Sequence, residues 1–229
     1  MNIKHKKPTL TKKQRHRLRV QQVRRQKIFL TCLFLLIVGC ILLRFSKFSG
    51  RQKETHQINA ACEAYRDEVS SEAAQYDMSD YVDLILAVMM QESSGQGTDP
   101  MQSSEGAYNT RYPQQPNGIT DPSYSISCGI QELKYALEKA VCTGPTDLSK
   151  IRLALQAYNF GADSYFAYLE ENGQTVWTAQ SAQAFAQMAS GGTQRDEDDP
   201  LHDPAGPWDY GDHYYPDHVL RYYHLDNNS

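Results

Sequence analysis

Glu92 closes an apolar run, LILAVMMQES, with Ser93 directly after it. Leu84, Ile85, Val88 and Met89 stand ahead of it at helical spacing and predict a core-facing stripe. The run GQGTDP follows, and its Gly95, Gly97 and Pro100 cannot continue a helix. The spacing therefore sets Glu92 where a buried helix gives way to a loop. Two effects there favour a protonated carboxyl near neutral pH. Apolar neighbours disfavour the charged form, and so does the partial negative charge at a helix C-terminus. A protonated glutamate beside a cleft is the general acid that cleavage of a glycosidic bond requires. On these residues alone, a solvated glutamate ending an ordinary helix is the plainer reading. The chemistry rests on the blocks that follow.

Other chemistries have less behind them. A thiol hydrolase using Cys128 or Cys142 would need a recognisable Cys/His pattern, and neither cysteine has one. A Cys128–Cys142 bridge is compatible with the sequence but not fixed by it. No spacing resembles a zinc site. His202, His213, His218 and His224 form no H-x-x-x-H pair and read as surface residues. No metal or cofactor is expected.

The elements that must position Glu92 are helical. Ala60 to Tyr76 predicts one helix, with Ala61, Tyr65, Val69, Ala73 and Tyr76 at helical spacing. Ser79 is placed to cap the next, which runs to Glu92. Gly95 to Asp121 predicts a long irregular loop, of the length that tends to be functional or disordered. A helix from Ser125 or Ser127 through Val141 follows, then breaks at TGPT. Further helices are expected at Leu148–Tyr158, with Gly161 as C-cap, at Ala162–Glu171, at Ala179–Ala189 and at Pro216–Tyr223. The run GGTQRDEDDPLHDPAGPWDYGD predicts a surface loop, and Trp177 and Trp208 read as packing residues. The fold class is mainly α, with at most a small hairpin in the long loop.

Charge divides the chain. The first 27 residues hold 11 Lys/Arg and no acidic residue, and Ile28 to Leu43 is 16 residues without a charge. From Glu54 on there are 27 acidic residues against 8 basic ones, a net of −19. Sixteen helical residues span roughly 24 Å, against about 30 Å for a bilayer core. Phe45 and Phe48 can extend the span, with Arg44 snorkelling to the interface. The heavier positive load on the N-terminal side puts that end in the cytoplasm and the rest outside. The expected organisation is a basic cytoplasmic segment at 1–27, a transmembrane helix at 28–45, a linker at 46–58, one domain at 59–225 and a tail at 226–229. The basic arm is explained by topology and anionic lipid. The acidic outer piece argues against nucleic acid as a partner.

Five blocks in order carry a resemblance: Glu92-Ser93; Met101-Gln102; Asp121-Pro122 through Ser125-Ile126 to Gly129 and Leu133; Ala157-Tyr158-Asn159-Phe160-Gly161; and Tyr215 through His218-Val219-Leu220. Together they resemble the lysozyme-like superfamily of goose-type lysozymes and soluble lytic transglycosylases. The run QESSGQGTDPMQSSEG is similar to the goose-type-like muramidase domain of conjugative elements. The short interval from Glu92 to Gln102 favours that subgroup, and Ser125 departs from its usual asparagine.

The resemblance implies a lysozyme-like helical domain with a long active-site loop behind one N-terminal transmembrane helix. Its substrate would be the peptidoglycan glycan strand, cut between N-acetylmuramic acid and N-acetylglucosamine. Glu92 would be the acid and Asp99 the second carboxylate across the cleft, with Glu105, Asp121 and Glu132 competing for that place. Ser93 would bond near the acid. Met101 and Gln102 would line the cleft floor, Tyr158 and Asn159 would contact acid and sugar, and Ser103 and Ser104 are further sugar contacts. Secretion or conjugation machinery is the implied protein partner. A lytic transglycosylase and a non-catalytic glycan-binding component remain as alternatives.

Overall fold

The computed structural model describes residues 56–200, 202–204 and 206–225. The expected cytoplasmic segment, the transmembrane helix, most of the linker and the tail lie outside them. Among the described residues no helix is long and apolar enough to cross a membrane.

The described elements are α1 (Ala60–Glu63), α2 (Arg66–Gln75), a 3-10 turn (Ser79–Tyr81), α3 (Val82–Glu92), α4 (Pro122–Lys139), α5 (Leu148–Phe160), α6 (Ala162–Glu171), α7 (Ala179–Ala189) and α8 (Tyr215–Leu220). α3 and α5 form the centre. α3 packs against α2 and α8, and α5 packs against α4, α6 and α8. In α3 every residue from Leu84 to Met89 is fully buried. The helix is therefore enclosed on all sides, where the sequence pattern predicted a single core-facing stripe. That enclosure fixes the position and direction of its last residue, Glu92.

α5 ends where expected, at Gly161, whose φ of 83° suits glycine. Around that end an aromatic group of Phe160, Tyr165, Phe185 and Tyr210 meets with ring centroids 5.1–5.8 Å apart. Each such contact adds about 0.5–1.5 kcal/mol beyond area burial. They tie α6, α7 and the segment before α8 to the end of α5.

Three local expectations are corrected. The single helix over Ala60–Tyr76 is two, because Tyr65 N–H turns back to Cys62 O (3.0 Å) and leaves a break at Ala64–Tyr65. Ser79 opens a 3-10 turn and does not cap α3 with its side chain. α4 starts earlier than Ser125, at Pro122. Asp121 is its N-cap, accepting from Ser123 N–H at 3.1 Å and Tyr124 N–H at 3.4 Å, and the proline at its first position has no N–H to satisfy. The polar run after α7 lies at the surface as expected, mostly exposed from Gly191 to Pro200, and is pinned to the segment before α8. Gln194 bridges to Trp208, and the Arg195 guanidinium, largely buried, donates to Trp208 O and Gly211 O.

Cys62, Cys128 and Cys142 are all unbridged. Burial pushes the Cys62 thiol up to about 11 and raises Cys128 as well. This direction leads away from a nucleophilic thiolate. Of the histidines expected at the surface, His213 is instead buried, with Asp203 3.4 Å from its Nε2.

Candidate active site

Glu92 stands at the open end of α3, half-buried, and borders a cavity of about 640 Å³. Its Oε1 accepts a hydrogen bond from the Tyr215 hydroxyl at the start of α8. Burial raises the carboxyl to about 7, the Tyr215 bond pulls it down, and the charges of Asp99 and Asp212 raise it further. Burial and the Glu92 charge hold the Tyr215 phenol well above its ordinary value, so it remains a donor. Tyr215 stacks on Tyr158, with centroids 6.3 Å apart and planes at 21°. Tyr158 in turn donates its hydroxyl to Met101 O at 2.9 Å. A chain of two tyrosines thus links the acid to the long loop.

Asp99 organises that loop. It is buried, and both oxygens are fully engaged. Oδ1 accepts from Ser103 N–H (3.1 Å) and the Ser125 hydroxyl (2.6 Å). Oδ2 accepts from Ser104 N–H (3.2 Å) and the Ser104 hydroxyl. Ser103 Oγ donates to Ser125 O at 2.9 Å, and Ser104 Oγ accepts from Ile119 N–H at 2.9 Å. Met101 N–H donates to Ser125 Oγ at 3.1 Å. Its side chain lies against Gly129, where a Cβ would come 2.6 Å from Met101 Cβ. Ser93 Oγ clasps the start of the loop by donating to Pro100 O at 2.7 Å.

The other wall comes from the C-terminal third. Asn159 Oδ1 accepts from Asp212 N–H at 2.7 Å. Asp212 Oδ2 lies 2.5 Å from His218 Nδ1. Gln156 donates to Asp212 O (2.8 Å) and is held by Trp177 Nε1 (2.8 Å). Gly211, at φ 49°, has no room for a side chain, since a Cβ would lie 2.6 Å from Asn159 Oδ1 and from the Phe160 ring.

Of the residues singled out in the sequence, Glu92, Gln102, Tyr158 and Asn159 border the cavity. Gln102 takes φ 49° there and donates to Asp99 O (2.8 Å) and Asn117 Oδ1 (3.0 Å). Asp99, Met101, Ser103 and Ser104 do not border it, because each is turned inward to bond or pack within the loop and against α4. The placement of Asp99 thus departs from the expectation of a carboxylate facing the cleft. Glu105 and Glu132, competitors in the sequence, do line the cavity, together with Tyr108. Burial raises Glu132 to about 7; a backbone hydrogen bond from Tyr108 opposes the shift, and the charges of Asp99 and Glu92 add to it. Tyr215, as the partner of the acid, is the contact that the sequence reading did not foresee. The only prior signal was its place in the closing Tyr215–Leu220 block.

Residues 60–223 match the family described as lysozyme-like. The chain is 35% identical over 169 residues to the bifunctional muramidase/DL-endopeptidase CwlT of Bacillus subtilis (strain 168), covering 74% of this chain and 44% of that protein. It is 40% identical over 115 residues to a protein of the same organism described as the uncharacterized membrane protein YocA, covering 48% and 45%. The chain spans about half the length of these curated relatives. Among solved structures, a protein of Staphylococcus aureus subsp. aureus Mu50, described as similar to lipoprotein, NLP/P60 family, superposes with a TM-score of 0.63 at 27% identity. The match covers 76% of this chain and 56% of that one.

Proposed function

The chain belongs to the lysozyme-like family, and from that premise we propose that it is a peptidoglycan N-acetylmuramidase with Glu92 as its general acid. The observation that carries the reading is the setting of Glu92: a carboxyl raised to about 7 at the edge of a polar cavity, with a fixed donor behind it. Near neutral pH it retains a proton to give to the bridging oxygen as the bond to C1 of N-acetylmuramic acid breaks. The carboxylate left behind is stabilised by the Tyr215 hydroxyl. Gln102 and Asn159 offer amide groups on the cavity walls for the N-acetyl and hydroxyl groups of the sugars. The similarity to a named muramidase supports the same bond. The DL-endopeptidase half of that name is not carried over.

Two finer points complete the proposal. Residues 28–45 anchor the protein in the cytoplasmic membrane with the N-terminus inside, which sets the catalytic domain facing the wall. The charge asymmetry and the similarity to a membrane protein support this. Local wall opening for a conjugation apparatus is the process that the subgroup resemblance suggests. A lytic transglycosylase is the second reading. It would use the same acid, with the muramic 6-hydroxyl replacing water.

Mass spectrometry of purified peptidoglycan, treated with the full-length chain and with Glu92→Gln alongside, tests the reading. Reducing muramic acid ends made by the wild type alone are expected. Anhydromuramic ends would move the protein to the transglycosylases. Binding without cleavage by either form would make it a glycan-binding component.

A further inference from the structure

Glu132 lies on α4, 40 residues from Glu92 in sequence, and lines the same cavity. Its Oε1 is buried and accepts from no protein donor. The Tyr108 backbone bond holds the carboxyl but leaves this oxygen unpaired, and a buried carboxyl oxygen left unpaired costs folding free energy. Gly106 is shaped around it. A Cβ on Gly106 would fall 1.4 Å from Glu132 Oε1 and 2.3 Å from its carboxyl carbon, and the three nearest atoms all belong to that one carboxyl. The loop therefore comes down onto Glu132 at a residue that leaves room for it.

Asp99 offers a contrast. A carboxylate accepts at about four lone-pair sites, and all of those on Asp99 are taken by Ser103, Ser104 and Ser125. It has no capacity left to hold a water and does not border the cavity. We propose that Glu132 is the second carboxyl of the reaction, the base that takes a proton from the attacking water. This rests on the hydrolytic reading above.

The step balances as a single displacement. Glu92 gives its proton to the bridging oxygen as the C1–O bond breaks. The water oxygen bonds to C1 on the opposite face and loses one proton to the Glu132 carboxylate. The product carries inverted configuration at C1, and the two carboxyls exchange protonation before solvent resets them. The electrostatic setting agrees. Glu92 accepts from Tyr215 and feels the charges of Asp99 and Asp212; Glu132 accepts from the Tyr108 backbone and feels the charges of Asp99 and Glu92; and Tyr158 feels the charges of both glutamates. Burial raises both carboxyls to about 7, so near neutral pH one holds a proton to give while the other is ionised to take one.

The test uses full-length wild type, Glu92→Gln, Glu132→Gln and Gly106→Ala on purified peptidoglycan, with a thermal melt of each. Glu132→Gln is expected to lower kcat by about 10²–10⁴-fold with KM unchanged. It should also abolish the acid-side fall of the pH profile, and azide should restore turnover. Gly106→Ala should melt like wild type and lose kcat similarly, because the nearest atoms it displaces are the flexible end of Glu132. Wild-type cleavage to reducing ends, with Glu132→Gln retaining kcat and both limbs, would overturn the assignment and leave the muramidase reading standing. If Glu132→Gln does not fold, full activity in Gly106→Ala overturns it instead. Absence of reducing ends from the wild type would sink the muramidase reading itself, and this inference with it.

Discussion

Replacing Tyr215 by phenylalanine removes one atom from the candidate site and yields a signed prediction. The Tyr215 hydroxyl donates to Glu92 Oε1 and favours the ionised acid. Hydrogen bonds to charged groups contribute about 1.5–3 kcal/mol, and 1.36 kcal/mol corresponds to one pKa unit. Without that donor Glu92 holds its proton to higher pH, so the alkaline limb of kcat/KM should move from near 7 upward by about 1–2 pH units. Phenylalanine keeps the ring that stacks on Tyr158, so the fold and KM should change little. The assay is kcat/KM for peptidoglycan between pH 5 and 9, with intact mass and a melt as controls. An alkaline limb that stays in place, or moves to lower pH, would refute the reasoning that Tyr215 stabilises the ionised acid.

Three further outcomes follow from the geometry. Asp99→Asn should lower activity and urea stability together, by about 1–3 kcal/mol for each buried donor left unpaired; lost activity at an unchanged urea midpoint would return Asp99 to the chemistry. Glu92 is raised from 4.5 to about 7 on folding, so the native state binds its proton more tightly. The stability it contributes is fully present below about 4.5 and is lost as pH rises through about 7. Unfolding at pH 5 and pH 8 should therefore show a wild-type decline that exceeds that of Glu92→Gln by about 2.5 kcal/mol, the remaining decline coming from Glu132, raised in the same way. An equal decline in both proteins would contradict it. Finally, native Cys62 and Cys128 should resist iodoacetamide with activity intact, and inactivation in step with their labelling would reopen a thiol mechanism.

The sequence made Glu92 legible because an apolar run and a Gly/Pro loop meet there. α6 and α7 were legible to their ends because caps and breakers bound them on both sides. The Asp121-Pro122 pair was misread as loop although it is a strong helix start, since the same dipeptide also signals turns. The role of Asp99 was hidden for a related reason. Asp before Pro says nothing of Ser103, Ser104 and Ser125 converging on its oxygens. Glu132 stands on a helix whose pattern does not distinguish it, and only the approach of Gly106 marks it. Tyr215 meets Glu92 across 123 positions, a separation that no local pattern encodes.

That same separation has a consequence for when the protein could act. The acid is set at residue 92, but the hydroxyl that braces it and the wall carrying Gly211 and Asp212 arrive more than a hundred residues later. Contacts between such distant positions form late, because chain must be closed before they reward it. A chain halted near residue 200 would own its acid and its loop yet lack the brace. On the proposed reading, the acid stays unbraced during synthesis until α8 has been made, a form of timing set by the order of the chain.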